Sequence, residues 1–509
     1  MKTAPFGYGA LAGVFVGLAL LAVPFADLRV SALNSWADLG DVAAGFFLPD
    51  FAAIALREVI LTIAFAVTGV GFGATVGFGL SLMIAKSRAV RVLAAGMRSI
   101  HELFWALLLL QVTGLSPWTG VLAVGIPYAG IFAKVYAEMM EEADLSAERV
   151  LPPATSTVSR FAFARAPILS DAFRAYTLYR LECGLRSSLI LGFIGIPTIG
   201  DEIKTAFRPG AYHEAAALLL VFYGLIASRR LWVRAQTLPI LMAGSVVALV
   251  TLTDRLPGLP IATRLANVLA SLVPAPIRTR HGDLTSWLWD LVGHQIGPGL
   301  IQTLILSHLA ATFAAVASLA LFPLVSQRFN GRVGRLLGRA FLLVVRGTPD
   351  YMFAYLLLQL LGLSMLPAVL ALGIHNGGII AYLMGRHADK LAYRRDAPRA
   401  LDLYAYETVP RLFGQFVALV LYRCEVIVRE SAILGMLSIN TLGFYVAAAM
   451  DDFKMDSAAI LLVAAGLLSA SIDTTSRALR KRLRVDRLPM RLADHDAVLM
   501  SDVLALGRH

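Results

Sequence analysis

The sequence predicts an all-α polytopic membrane protein, with about 12 transmembrane helices in two parallel, pseudosymmetric six-helix halves. Two observations carry the prediction. The 509 residues are 58% hydrophobic and only 16% charged, with a mean hydropathy of +0.71, far more apolar than a soluble core requires. The chain also repeats itself. LYRLECGLRSSLILG at 178–192 returns as LYRCEVIVRESAILG at 421–435 with nine of fifteen positions identical, and RSIHELFWALLLLQVTGLS at 98–116 aligns without a gap on RGTPDYMFAYLLLQLLGLS at 346–364. A membrane protein built from two parallel copies usually places its working site where the copies meet.

A span needs about twenty apolar residues. In the first half such runs fall near 8–25, 58–85, 99–113, 119–136, 176–195 and 214–228. In the second they fall near 236–252, 299–325, 341–362, 365–385, 413–437 and 457–472. The shorter ones rely on apolar flanks. The first run follows Met1 and Lys2 and shows no small-residue cleavage pattern, so it reads as an uncleaved span rather than a signal peptide. The expected domains are 1–235, 236–485 and a polar, basic tail over 486–509.

Lys and Arg set the orientation. With the N-terminus in the cytoplasm, cytoplasmic segments carry roughly 30 basic residues and outer segments roughly 9. The runs KSRAVR (86–91), SRR (228–230), QRFNGRVGRLLGR (327–339) and RALRKRLRVDR (477–487) then all lie inside, as does the C-terminus. The net charge of +11 is thus a topology signal, not a nucleic-acid footprint. Two loops between the fourth and fifth spans, 137–175 and 386–412, are long and mixed in charge. Their equal placement in both copies points to function. The second is shorter by five residues, because the offset between copies falls from 248 to 243 across it.

Charged residues inside spans are costly and need a partner or a watery cavity. Glu182 and Arg186, like Glu425 and Arg429, are four apart with the acid first, the order that favours an intrahelical pair. A pair that eases insertion and a pair that lines a central pathway both fit. Arg180 and Arg423 lie nearer the cytoplasmic end, where snorkelling suits them. Arginine outnumbers glutamate within the spans, which suits an anionic solute. Gly69, Gly73 and Gly77 form overlapping GxxxG steps that close packing explains. Cys183 and Cys424 lie on either side of the repeated glutamate and read as packed small residues. The sequence holds no GxxxxGK[ST], HExxH, CxxC or GxSxG. It points to no catalytic constellation, no metal site and no cofactor.

The segment LYRLECGLRSSLILGFIGIPTIG at 178–200, its sequel to 220 and the copy at 421–443 resemble permease subunits of phosphonate-type ABC importers. The starts of the third spans, RSIHELFWAL and RGTPDYMFAY, are similar to the family as well, with His101 where its proline is expected and Pro349 in the second copy. The resemblance spans roughly 58–230 and 299–480.

The resemblance implies the pathway of an importer for phosphonate or a related phosphorus oxyanion, normally two six-span subunits and here a fusion. It also implies an inner-membrane location, two cytoplasmic ATPase subunits on the loops, and a periplasmic or lipid-anchored solute-binding protein outside. The family's loop motif is matched in part. Glu142 and Ala143 stand at its start, Ala154 where a glycine is expected, and Ala166–Pro167 at its Leu-Pro end; Asp396, Ala397 and Val409–Pro410 are the second set. Its outer glycines are Gly195 and Gly200, with Ser438 and Gly443 in the copy. A stand-alone secondary transporter or channel for an anion is the rival reading, and a membrane scaffold is a further one.

Overall fold

Polar residues at the ends of apolar runs begin the helices by accepting an orphan backbone N–H. Ser87 accepts from Val90, His101 from Leu103, Ser116 from Thr119 and Asp283 from Ser286. The computed structural model describes residues 7–31, 35–143, 146, 151–152, 155–207, 210–234, 236–253, 261–280, 282–394 and 396–483. Ala154 and the tail expected over 486–509 lie outside them.

Among the described residues there is no strand. The first copy comprises α1 (Tyr8–Ala22), α2 (Ser35–Phe47), α3 (Leu56–Ile84), α4 (Arg88–Ser99), α5 (Glu102–Thr113), α6 (Pro117–Glu142), α7 (Thr157–Arg160), α8 (Ala166–Ile190), α9 (Ile199–Phe207) and α10 (Tyr212–Trp232). The second begins with α11 (Leu238–Leu252), α12 (Ile261–Ser271), α13 (Ala275–Thr279), α14 (Leu284–Leu291), α15 (Gly297–Leu321) and α16 (Arg332–Gly347). It continues with α17 (Asp350–Leu361), α18 (Leu366–Lys390), α19 (Ala400–Asp402), α20 (Val409–Leu434), α21 (Leu442–Asp451) and α22 (Met455–Arg482).

Among the described residues, six helical stretches are long and apolar enough to cross a membrane, and up to ten if each of four bent pairs makes one span. The other two expected positions are held by α10, which carries Arg229, and by α11, only 15 residues long. The chain is a multi-pass helical membrane protein.

The bends refine the expected spans. α4 and α5 meet at 97°, and α16 and α17 at 90°. The run 341–362 is therefore not one straight helix. Thr348 is extended (ψ 124) because the following Pro349 disfavours a helical residue before it. His101 is extended too (ψ 146) and caps α5 with its own ring nitrogen.

By packing, Ala44–Val268 forms one compact unit, and the described residues up to Ala43 with those of Leu269–Leu488 form the other. The expected boundary at 235 describes the order of the copies along the chain; the units describe which helices touch. In the first unit α3 lies along α6, as the glycine spacing predicts. A methyl at Gly73 would stand 2.7 Å from Tyr128 Cβ, and one at Gly69 2.8 Å from Val124 Cβ. α11, from the second copy, packs on α3, with Met242 against Gly71. In the other unit α15 lies along α18, and α1 packs on α15 and α20. His308 of α15 hydrogen-bonds the Phe15 carbonyl at 2.9 Å and its ring lies 4.5 Å from that of Phe15.

Each unit closes the end of its repeated motif in the same way. After α8 a 3-10 turn reaches Gly195 (φ +85), and α9 turns away at 52°. After α20 the turn ends at Ser438 (φ +64), and α21 turns away at 48°. The Ile199 N–H donates to Thr62 Oγ1 at 2.9 Å, and the Leu442 N–H to Thr303 Oγ1 at 3.0 Å. Side chains at Gly200 and Gly443 would strike the carbonyls of Leu189 and Ala432. These two glycines are required by the close approach of backbone to backbone.

Candidate functional site

The charged residues singled out in the sequence fall into polar clusters, one set in each unit. On α8, Glu182 is only 11% exposed. It takes Arg186 of its own helix at 3.5 Å and Arg229 of α10 at 2.8 Å. In the sequence Arg229 belongs to a boundary run at 228–230. The clue lay in helical continuity, since the apolar run 214–228 extends through it. Arg180 donates to Tyr176 Oη at 2.8 Å and lies over the rings of Tyr176 and Tyr179 at 5.0 and 5.4 Å. A delocalised cation on an aromatic face needs less solvent.

A third group had not been foreseen. Ser187 of α8 donates to Glu102 Oε1 at the start of α5, at 2.7 Å, and lies 3.3 Å from the Tyr128 hydroxyl of α6. Three helices are thus tied at one level. In the other unit Asn376 of α18 donates to Glu430 Oε2 at 3.0 Å and accepts from Arg423 at 3.3 Å. Asn376 stands at the repeat position of Tyr128 (offset 248) and Glu430 at that of Ser187 (offset 243). The Glu102 position keeps an acid, the buried Asp350 at the start of α17 (offset 248), and Glu430 adds a further carboxylate on α20. Glu425 and Arg429 are half-buried on α20. Arg346, at the end of α16, sits 4.2 Å from the Tyr382 ring centroid.

The loops before the repeated motif form the second element of the site. In the first copy α7 passes into a π-helical turn, Phe161–Arg165, and then α8. In the second, α19 passes into a π-helical turn, Leu403–Thr408, and then α20. π-turns within helices are rare and concentrate at functional positions. Offset by 243, the two segments share their burial pattern. Ala164 and Glu407 are buried, as are Leu169 and Leu412, while Pro167 and Pro410 are exposed in the first turns of α8 and α20. Phe161 packs 6.1 Å from Phe78, and Tyr404 stacks on Phe322 at 5.3 Å.

On the open side two large apolar residues are left out of each core. Val158 and Phe163 are both 79% exposed, Leu401 77% and Tyr406 79%. Each pair is five residues apart, a spacing that a π-turn brings toward one side. The partial loop motif in the sequence points to other residues here. Glu142 ends α6, and Ala143 caps it in extended conformation. Asp396 is exposed, and Ala397 donates to the Arg394 carbonyl in a turn at 3.2 Å. The exposed apolar pairs were missed because an isolated aromatic in a mixed loop looks like core until its burial is known.

No family model matches the chain, and no solved structure does. Among curated proteins the chain is similar to the phosphate-import permease protein PhnE of Mycolicibacterium smegmatis, 23% identical over 460 residues that cover 83% of this chain and 84% of the relative. It is also similar to the phosphite transport system permease protein PtxC of Stutzerimonas stutzeri, 28% identical over 231 residues, 43% of this chain and 84% of that protein. The second match is shorter than half of this chain yet nearly complete for the relative, as one of two fused units would give. The chain is therefore a multi-pass helical protein similar, over most of its length, to a phosphate-import permease and, over a shorter stretch, to a phosphite transport permease.

Proposed function

We propose that this chain is the permease of an ATP-driven importer for a phosphorus oxyanion of the phosphonate, phosphite or phosphate type, with two permease units fused in one chain. Each unit contributes half of the pathway, and the polar clusters around Glu182 and Asn376 hold its helices in register. The segments 157–165 and 400–408 face the cytoplasm in this reading, as the Lys and Arg distribution requires. Each seats one ATPase subunit. A solute-binding protein delivers the oxyanion from the opposite side, to the turns around Gly195 and Ser438. ATP-driven closure of the ATPases would act through the two seats and expose the pathway to each side in turn.

The observation that carries the reading is the pair of exposed apolar anchors, Val158 with Phe163 and Leu401 with Tyr406, at matching places in the two copies. A short helix presenting an apolar pair suits a groove in a partner protein. The test is affinity purification of the tagged chain from its native membrane, with mass spectrometry of what accompanies it. A P-loop ATPase at about two copies per chain is expected, one for each seat. A chain that transports after gentle purification without any ATPase would favour an ion-coupled transporter instead.

A further inference from the structure

The bent pairs leave two helices whose surfaces the transport reading does not use. At 100° per residue, α16 divides into three faces. Gly338, Leu342 and Val345 are buried against the protein. Gly338 lies on the Leu324 carbonyl, and Gly378 of α18 fits against Val345. Arg332, Arg335, Arg339 and Arg346 form a second face, an arc of about 60°. Val333, Leu336, Leu337, Phe341 and Val344 form a third, and all five are exposed, Leu337 at 66%.

The same order of faces recurs on α4, in the other unit. Ala94 is buried, and Gly130 of α6 packs so closely on it that a methyl there would meet the Ala94 carbonyl and stand 3.0 Å from Met97 Cβ. Arg88, Arg91 and Arg98 follow around the helix, and then the exposed Val92 and Leu93. Arg91 aligns with Arg339, Leu93 with Phe341 and Ala94 with Leu342 at an offset of 248. Each helix turns by 90° or more into the apolar helix that follows it.

We infer that α4 and α16 each lie along a boundary of the bilayer, where their apolar faces enter the acyl region and their arginines hold anionic phospholipid headgroups. A helix with a protein-facing side, a basic side and an exposed apolar side has that place available to it in a membrane protein. The right-angled turn gives the geometry: in this inference only α5 and α17 of the two bent pairs enter the membrane, and a helix perpendicular to one that enters steeply runs parallel to the membrane plane. Charge selects the lipid, because guanidinium groups pair with phosphate and each basic residue near an anionic surface adds to binding. The inference stands on the membrane fold and is independent of which solute is carried.

The experiment uses the full chain reconstituted in vesicles of phosphatidylcholine with and without phosphatidylglycerol. Spin labels are placed singly at Leu337→Cys and Arg339→Cys, with Cys183 and Cys424 replaced by serine. The label at 337 should be reached by oxygen and hidden from a water-soluble nickel complex, and the label at 339 should show the reverse. Native mass spectrometry of the same protein should find phosphatidylglycerol retained over phosphatidylcholine. Selectivity should fall on the order of five-fold for each arginine removed in R332Q, R335Q and R339Q. Excess inorganic phosphate should leave the retained lipid in place; displacement by phosphate would make the arginines a free-anion site and overturn the lipid assignment. A label at 337 that is open to nickel in both vesicle types would also overturn it. So would shielding that arises only when an ATPase subunit binds, since the face would then be a protein-docking surface.

Discussion

Glu182 of α8 holds Arg229 of α10 at 2.8 Å, closer than it holds Arg186 of its own helix at 3.5 Å. The glutamate is a tie between helices before it is half of an intrahelical pair. Removing one member of a shielded ion pair leaves the other charge uncompensated, at about 3–5 kcal/mol in fully buried cases. The rim exposure of Arg229 lowers that figure.

Arg229→Gln should therefore lower membrane yield and thermal stability more than Arg186→Gln does. The double variant Glu182→Gln with Arg229→Gln should recover part of the loss. Melting of the detergent-purified protein measures all four corners of the cycle. Equal losses from the two arginine variants would show that α10 is not held through this contact.

Thr62 and Thr303 each satisfy a buried backbone N–H at the start of a bent helix. Thr62→Val and Thr303→Val keep the shape and remove the acceptor. Each should cost about 1–3 kcal/mol, the penalty of an orphaned buried donor. Faster amide exchange at Ile199 and Leu442, above that of neighbouring residues, is the specific sign.

Ser438 occupies a left-handed conformation that its counterpart Gly195 adopts without strain. Ser438→Gly should raise stability by up to about 1 kcal/mol. Gly195→Ser should lower it by a similar amount. Gly443→Ala should be far worse than either, because its methyl would meet the Ala432 carbonyl. A thermal-shift series on the three variants ranks them.

Phe163→Ala and Tyr406→Ala remove exposed side chains and should leave folding untouched, while each weakens recovery of the ATPase. Aromatic anchors at interfaces are often worth about 2 kcal/mol or more, some thirty-fold in affinity. The combined variant should lose the partner nearly completely. Full recovery of the ATPase with both changes would move the seats elsewhere in the loops.

Much of this fold was legible from residues alone, for identifiable reasons. Long apolar runs gave the helices, and the Gly69, Gly73 and Gly77 steps gave the contact between α3 and α6. The right-angled breaks were harder, because hydropathy is blind to direction. Pro349 carried a signal for one of them; His101, at the other, looked merely like a departure from a family pattern. Packing partners were hidden for a different reason. Two copies of one unit offer similar apolar faces, so nothing in the sequence of α1 says whether it will lie on α3 or on α15. Within the site, Glu182 was found through its repeat. Glu430 was not, since its counterpart in the first copy is Ser187 and repetition cannot point to an acid that one copy lacks; Glu102 recurs as Asp350, so its signal was present in the aligned copies.

The packing of α1 on α15 and α20 has a consequence for the order of assembly. α1 leaves the ribosome nearly three hundred residues before the first helix that it will rest on. Until then it must stand in lipid by itself, and its wholly apolar surface, almost none of it covered even in the finished protein, is suited to waiting. α11 meets the opposite situation. Its partner α3 is already made when it emerges, so it can be short and depend on a neighbour. The first span of each copy is thus shaped by when it is made as well as by where it ends up. Exchanging the two sequences should leave α11's place adequately filled and α1's place filled by a helix too short to wait.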